Sequence, residues 1–195
     1  MHYSRIAAWI LGAWLAGSAF MAFVATQNFR RAEEVLSAPP PEISRIIQTA
    51  GPESSRLLLR HLVGEQNRFF FNSWELAQFA LGLLLCGILF LEPNNRKLAG
   101  FAAAMLGLTA FSHFIMTPEL IWLGRVIEFQ PVSSPQRDQF WKLHVMYGVM
   151  EAVKMLLGVV LASFLFMMRR RVRQKETADL TDLRPARRDS ATLRR

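Results

Sequence analysis

The chain has little of what soluble enzymes use for chemistry. Of 195 residues one is cysteine and four are histidine. The lone cysteine, Cys86, excludes an internal disulfide; inside an apolar run it reads as a small packing residue and says nothing about redox compartment. No phosphate-binding glycine loop, dinucleotide fingerprint or nucleophile motif occurs, so enzymology of the soluble kind is not expected. No His-x-x-x-His, Cys-x-x-Cys or Glu-x-x-His spacing fixes two metal ligands on one helix. Internal repeats and low-complexity tracts are missing as well.

What the chain does have is long apolar runs. Its composition is 52% hydrophobic and 19% charged, and the apolar residues collect near 6–25, 74–91, 98–116 and 141–168. A helix needs about 20 residues to cross a hydrocarbon core about 30 Å thick. The expected fold is therefore all-α, an integral membrane bundle of four transmembrane helices with helical extramembrane extensions. Its lipid bilayer is the first partner. The first run, preceded by Arg5, could instead be a signal peptide. Its length and the poor cleavage context Phe23-Val24-Ala25 favour a retained helix.

Residues 169–195 form a basic tail with ten Lys/Arg against four Asp/Glu, which carries most of the net charge of +8. Directly after a membrane helix, Arg169-Arg170-Arg171 reads as a cytoplasmic stop attracting anionic lipid, and the remaining tail as disordered. Nucleic acid is disfavoured, since no aromatic interleaving or binding motif accompanies the charge. Four crossings then put both termini in the cytoplasm, and the basic link Glu92 to Lys97 with them, as in a bacterial inner membrane. Trp74, Trp122 and Trp141 fall at the outer interface.

Two longer segments lie outside. In 26–73, Gln27 to Leu36 extends the first helix until Ala38-Pro39-Pro40-Pro41 stops it. A short helix follows over Glu42–Thr49. Pro52 then opens a helix of about 40 residues running into the second span, unless it bends at Gly64. In 117–140, residues 118–126 form a short amphipathic piece expected on the membrane surface, and Ser134-Pro135 opens the fourth helix. The pairs Gly12/Ala16, Ala13/Gly17 and Gly100/Ala104 allow close helix packing.

The fourth span carries His144, Tyr147, Glu151 and Lys154, spaced three, four and three, on one helix face. The second carries His61, Glu65, Arg68, Asn72 and Glu75 in the same way, and the third contributes His113. At 1.5 Å per residue from the cytoplasmic edge, Glu75 and Glu151 lie at about 25 Å, His113 at about 22 Å and Lys154 at about 21 Å. Ionisable groups inside a membrane normally face a bundle interior or wet cavity. The shared depth points to an outward-facing polar pocket for a small polar ligand, an ion or protons. In it Glu75 and Glu151 are the carboxylates, His113 the titratable centre and Lys154 the charge partner. Arg68, Asn72, Tyr147 and His144 form the rim. Three other readings stay open. One is a structural polar network. Another is a membrane scaffold recruiting a partner. The third is a haem or divalent-metal redox protein using His113 and His144, although their depths differ by about 14 Å.

The run Arg68-Phe69-Phe70-Phe71-Asn72-Ser73-Trp74-Glu75, the pair His113-Phe114 and Phe140 to Tyr147 resemble the bacterial four-helix family of domain of unknown function 4149, itself similar to the transmembrane protein 205-like domain. The resemblance covers roughly residues 7–168. It implies a small integral membrane protein, and carries over no catalytic residue or cofactor.

Overall fold

The computed structural model describes residues 2–92, 96–131 and 133–192. Among them there are helices and short connections but no strand. Helix α1 spans His2–Ser37, α2 Pro41–Ala50 and α3 Pro52–Leu91. Helix α4 spans Arg96–Phe111 and passes through a π-helical turn, Ser112–Met116, into α5, Thr117–Glu128. Helix α6 runs Pro135–Thr192. Pro93 to Asn95 of the inner link and Val132 of the outer turn lie outside the described residues.

Four stretches are long and apolar enough to cross a membrane: Tyr3–Ser37, Pro52–Leu91, Arg96–Glu128 and Pro135–Met168. They pack in a ring in which α1 touches α3, α3 touches α4, α4 touches α6 and α6 returns to α1. Each long helix divides into two faces. Leu76, Leu83 and Phe90 of α3 and Val145, Val149 and Val153 of α6 are exposed, while Glu75, Gln78 and Lys154 are buried. Apolar outside and polar inside inverts the soluble pattern and suits lipid as the surrounding solvent.

The half of the ring nearer the N-terminus is closed by Leu11, Trp14, Leu85, Leu89, Ala99, Ala102, Met105 and Leu161, all essentially inaccessible. Ser4 Oγ donates to Glu92 Oε2 at 3.0 Å, tying the start of α1 to the end of α3. The small-residue pairs are used unevenly. A Cβ on Gly17 would stand 2.1 Å from the Trp74 ring, so α1 and α3 approach where only glycine fits. Gly12 and Gly100 have nothing within 4 Å of a built Cβ and face outward.

Two segments are more helical than the sequence reading gave them. The segment after the third span is continuous with it: helix α5 follows α4 through the π turn and packs against α6 and α3. Pro118 explains the joint: it cannot donate a helical hydrogen bond, and its ring would clash with the preceding turn of a regular helix. The wide turn at Ser112–Met116, whose carbonyl at Ser112 accepts from the Thr117 N–H, absorbs that conflict without ending the helix. The tail, for its part, keeps helical backbone to Thr192 where composition suggested disorder. Its Arg, Lys, Gln, Glu and Ala are good helix formers. Apart from Arg170 and Gln174, its side chains lie outside the described residues.

Candidate functional site

Above the apolar plug the four helices turn polar side chains toward one another. Glu75 of α3 is fully buried and receives three groups from three directions. Thr117 Oγ1 donates to its Oε1 at 2.7 Å, and the Tyr147 hydroxyl donates to the same oxygen at 2.7 Å. His113 Nδ1 lies 3.1 Å from Oε2. One turn below, Lys154 Nζ donates to Gln78 Oε1 at 3.0 Å and pairs with Glu151. Gln78 Nε2 passes the chain on to Ser18 Oγ of α1 at 2.9 Å. The Tyr147 hydroxyl lies by both the Glu75 and Glu151 carboxylates, which joins the two halves. Glu75, Gln78 and Lys154 are each no more than 1% exposed.

Local sequence explains how each group arrives. Glu75 and Gln78 are three residues apart on α3, and Tyr147, Glu151 and Lys154 follow four- and three-residue steps on α6, so each set shares a face. On α1 the buried line is Ala7, Leu11, Trp14 and Ser18, a single helical stripe ending in a hydroxyl. The π turn delivers His113 and, at the first residue of α5, Thr117 to one carboxylate. Ser112 Oγ, Trp74 Nε1 and Glu151 Oε1 are buried at this level without a hydrogen-bond partner among the described residues, Glu151 Oε1 having the Lys154 ammonium as its ion-pair partner.

Beyond the apolar runs 74–91 and 98–116, on the lengths of α3 and α5 that extend past them, a second network clamps α5 to α3. Arg125 donates to Glu65 through Nε at 2.7 Å and Nη2 at 2.9 Å. Arg68 Nη2 donates to Glu65 Oε1 at 2.9 Å and to Glu128 Oε1 at 2.8 Å, and His61 Nδ1 lies 2.6 Å from Glu128 Oε2. The Arg68 guanidinium occupies space that side chains on Gly64 or Gly124 would fill, since a Cβ at either would stand 3.1 Å from it. The Arg125 hydrogen bonds, with Arg68 beside them, hold the Glu65 carboxyl down to about 2. Glu65 raises Arg125 in return.

Of the residues singled out in sequence, Glu75, His113, Tyr147, Glu151 and Lys154 share one network. Tyr147 belongs to its interior rather than to a rim. Arg68 sits in the outer clamp instead, because Glu65 and Glu128 compete for it. Asn72 is exposed. His144 is exposed too, stacked on Phe140 with ring centroids 5.5 Å apart and edge-on to Trp141, so it stands apart from His113. Among the described residues no group of three or more His, Cys, Asp or Glu is arranged to hold a metal ion. The network also takes in Ser18, Thr117 and Gln78, which sequence reasoning did not place in the pocket. Their signal was the buried-face register, four after Trp14, four after His113 and three after Glu75. The Asn28–Asn67 hydrogen bond of 2.7 Å, which ties α1 to α3 above the cluster, was also missed.

No protein-family profile, no curated protein and no solved structure matches the chain.

Proposed function

We propose that this integral membrane protein holds an exchangeable proton in an outward-facing intramembrane cluster, with both termini in the cytoplasm of a bacterial inner membrane and anionic lipid drawn to the basic tail. The observation that carries this reading is Glu75, fully buried yet hydrogen-bonded to Thr117, Tyr147 and His113. Ionisable groups inside membrane helices are costly to bury and commonly mark ion pathways and proton relays.

Charge counting sharpens it. Glu75 and Glu151 bring two negative charges if ionised, and Lys154 brings one positive. Neutrality in a low-dielectric interior then requires one more proton, on His113 or on a carboxyl group. Tyr147 has a single hydroxyl proton and gives it to Glu75, and His113 stands at the other oxygen of the same carboxylate. The proton therefore has several acceptors linked by short contacts. The apolar plug on the N-terminal side of the cluster supports exchange with the opposite side, taken here as the outside. A small cation or a polar ligand with a positive group could replace the proton in the same balance. The resemblance to the four-helix family adds a class of small membrane protein to this reading and no chemistry.

Infrared difference spectroscopy of the purified protein as a function of pH tests this reading. One carboxyl band should titrate, and Glu75→Gln should abolish or shift it while Glu119→Gln leaves it in place. A spectrum without a titrating carboxyl or imidazole signal, or one indifferent to both Glu75→Gln and Glu151→Gln, would reduce the cluster to a structural network.

A further inference from the structure

The buried cluster meets the protein surface at two places. Glu75, Gln78, Lys154 and Thr117 are buried. The His113 side chain is 20% exposed and that of Glu151 22%. A proton held on Glu75 therefore comes and goes past one of these two groups, and their surroundings differ.

The surface around His113 is apolar. Phe111, Phe114 and Ile115, within two residues of it, are exposed. The Phe114 ring stands edge-on to the imidazole with centroids 4.9 Å apart, and edge-on to Phe79 at 6.2 Å. By its depth along the helix His113 lies about 8 Å inside the hydrocarbon. An ion approaching on that side meets no polar partner and a large desolvation cost.

The surface above Glu151 is different. Gly148, on the same face and nearer the outer end of α6, is exposed, and a Cβ built on it meets nothing within 4 Å. His144, one turn further out on that line, is exposed as well. Glu151 lies about 5 Å below the outer edge of the hydrocarbon, so one turn of bare backbone separates it from the outer surface. Inward from Glu151 the next group is Tyr147. Four residues apart on α6, the two are neighbours on one face. Among the described residues Tyr147 is the one α6 group hydrogen-bonded to Glu75, its hydroxyl donating to Oε1 at 2.7 Å.

We infer that the proton enters at the outer end of α6, over Gly148 to Glu151, and that the Tyr147 hydroxyl passes it to Glu75, with His113 a partner of Glu75 and not its port. The inference rests on the proton-holding reading of the cluster and supplies its route. A proton from water binds a Glu151 carboxylate oxygen. It moves on to the Tyr147 oxygen as the hydroxyl's own proton moves to Glu75 Oε1, so one proton has been taken up and the tyrosine is again neutral. Both moves occur together, because a bare phenolate between two carboxylates in a dry interior is costly. Rotation of the hydroxyl resets it, and release runs the same steps backward. The other polar groups facing the two carboxylates are engaged elsewhere in the network. Thr117 gives its hydroxyl proton to Glu75 Oε1, Lys154 holds Glu151 and Gln78, and Gln78 holds Ser18.

Hydrogen–deuterium exchange of the carboxyl infrared band of the full-length protein, followed after rapid mixing into heavy water, tests the route. The band that Glu75→Gln removes should keep its intensity in Tyr147→Phe and exchange about a hundredfold more slowly. Gly148→Leu covers the line above Glu151 and should slow the same band. Open space surrounds Gly148 and leucine is the better helix former, so this variant keeps the fold. His113→Gln retains a donor for Glu75 Oε2 and should exchange at the wild-type rate. Wild-type exchange in either Tyr147→Phe or Gly148→Leu, or equal slowing in His113→Gln, would overturn the route and leave the proton-holding reading standing. A wild-type protein without a carboxyl band that Glu75→Gln removes would overturn both.

Discussion

Lys154→Met removes a buried ammonium while keeping most of its apolar stem. Lys154 is 1% exposed, and its Nζ serves two acceptors, Gln78 Oε1 at 3.0 Å and Glu151. The substitution strands both: a fully buried amide oxygen and a carboxylate whose side chain is only 22% exposed. Breaking a buried ion pair from one side costs about 3–5 kcal/mol, and Glu151 can recover part of that by taking up a proton, so about 3 kcal/mol is expected. For a chain of this size that lowers the unfolding midpoint by about 6–12 °C. The double variant Lys154→Met with Glu151→Gln removes the stranded charge and should restore more than half of the loss, a coupling of about 1.5 kcal/mol or more. Thermal unfolding of the detergent-solubilised protein reads both. A single variant costing under about 1 kcal/mol, or a double variant equal to the sum of the singles, would mean that water already screens the pair and that the dry electrostatics argued for this cluster are wrong.

The remaining expectations concern the clamp and the packing around the cluster. Because the folded-state pKa of Glu65 is depressed to about 2, the unfolded chain binds more protons just below the ordinary carboxylate value. The contribution of Glu65 is therefore whole above about pH 4.5 and lost as pH falls toward 2. Arg125→Met should flatten that part of the stability profile in acid-melt curves, and an unchanged slope would assign it to other carboxylates. Gly17→Ala drives a methyl into the Trp74 ring and should destabilise by about 1–3 kcal/mol, whereas Gly12→Ala, with open space around it, should be neutral or slightly stabilising in the same assay. His113→Ala leaves one oxygen of a buried carboxylate unpaired and should cost about 1–3 kcal/mol. His144→Ala, at an exposed stacked ring, should stay within about 0.5 kcal/mol, and a larger loss there would show that His144 has a partner the packing does not reveal.

Much of the architecture is legible in one dimension because membrane helices are constrained locally. A run long enough to cross the hydrocarbon must satisfy its own backbone hydrogen bonds, so length and hydropathy alone pick out the four spans. The proline run before Pro41 and the Gly51-Pro52 pair likewise mark the breaks between α1, α2 and α3. The π turn was not legible. Pro118 signals that a regular helix cannot pass unchanged, but either a stop or a widened turn would answer that signal, and contacts with α3 and α6 decide between them.

The cluster divides in the same way. Spacing and depth along single helices placed Glu75, His113, Glu151 and Lys154 at one level, with Tyr147 on the same stripe above them, since both follow from 3.6 residues per turn and 1.5 Å per residue. Which acceptor each donor finds is a property of neighbouring helices. Arg68 stands on the same α3 face as Glu75, yet Glu65 and the incoming Glu128 of α5 draw it into the clamp. His144 belongs to the same stripe as Tyr147, yet rotation of α6 leaves it with Phe140 and Trp141 while Tyr147 reaches Glu75. Sequence by itself determined the spans, the inward faces and the level of the charges, because those are set by the geometry of one helix. Only the tertiary structure decided the pairings, because a hydrogen bond between helices depends on their rotation and separation, and a helix fixes neither for its neighbour.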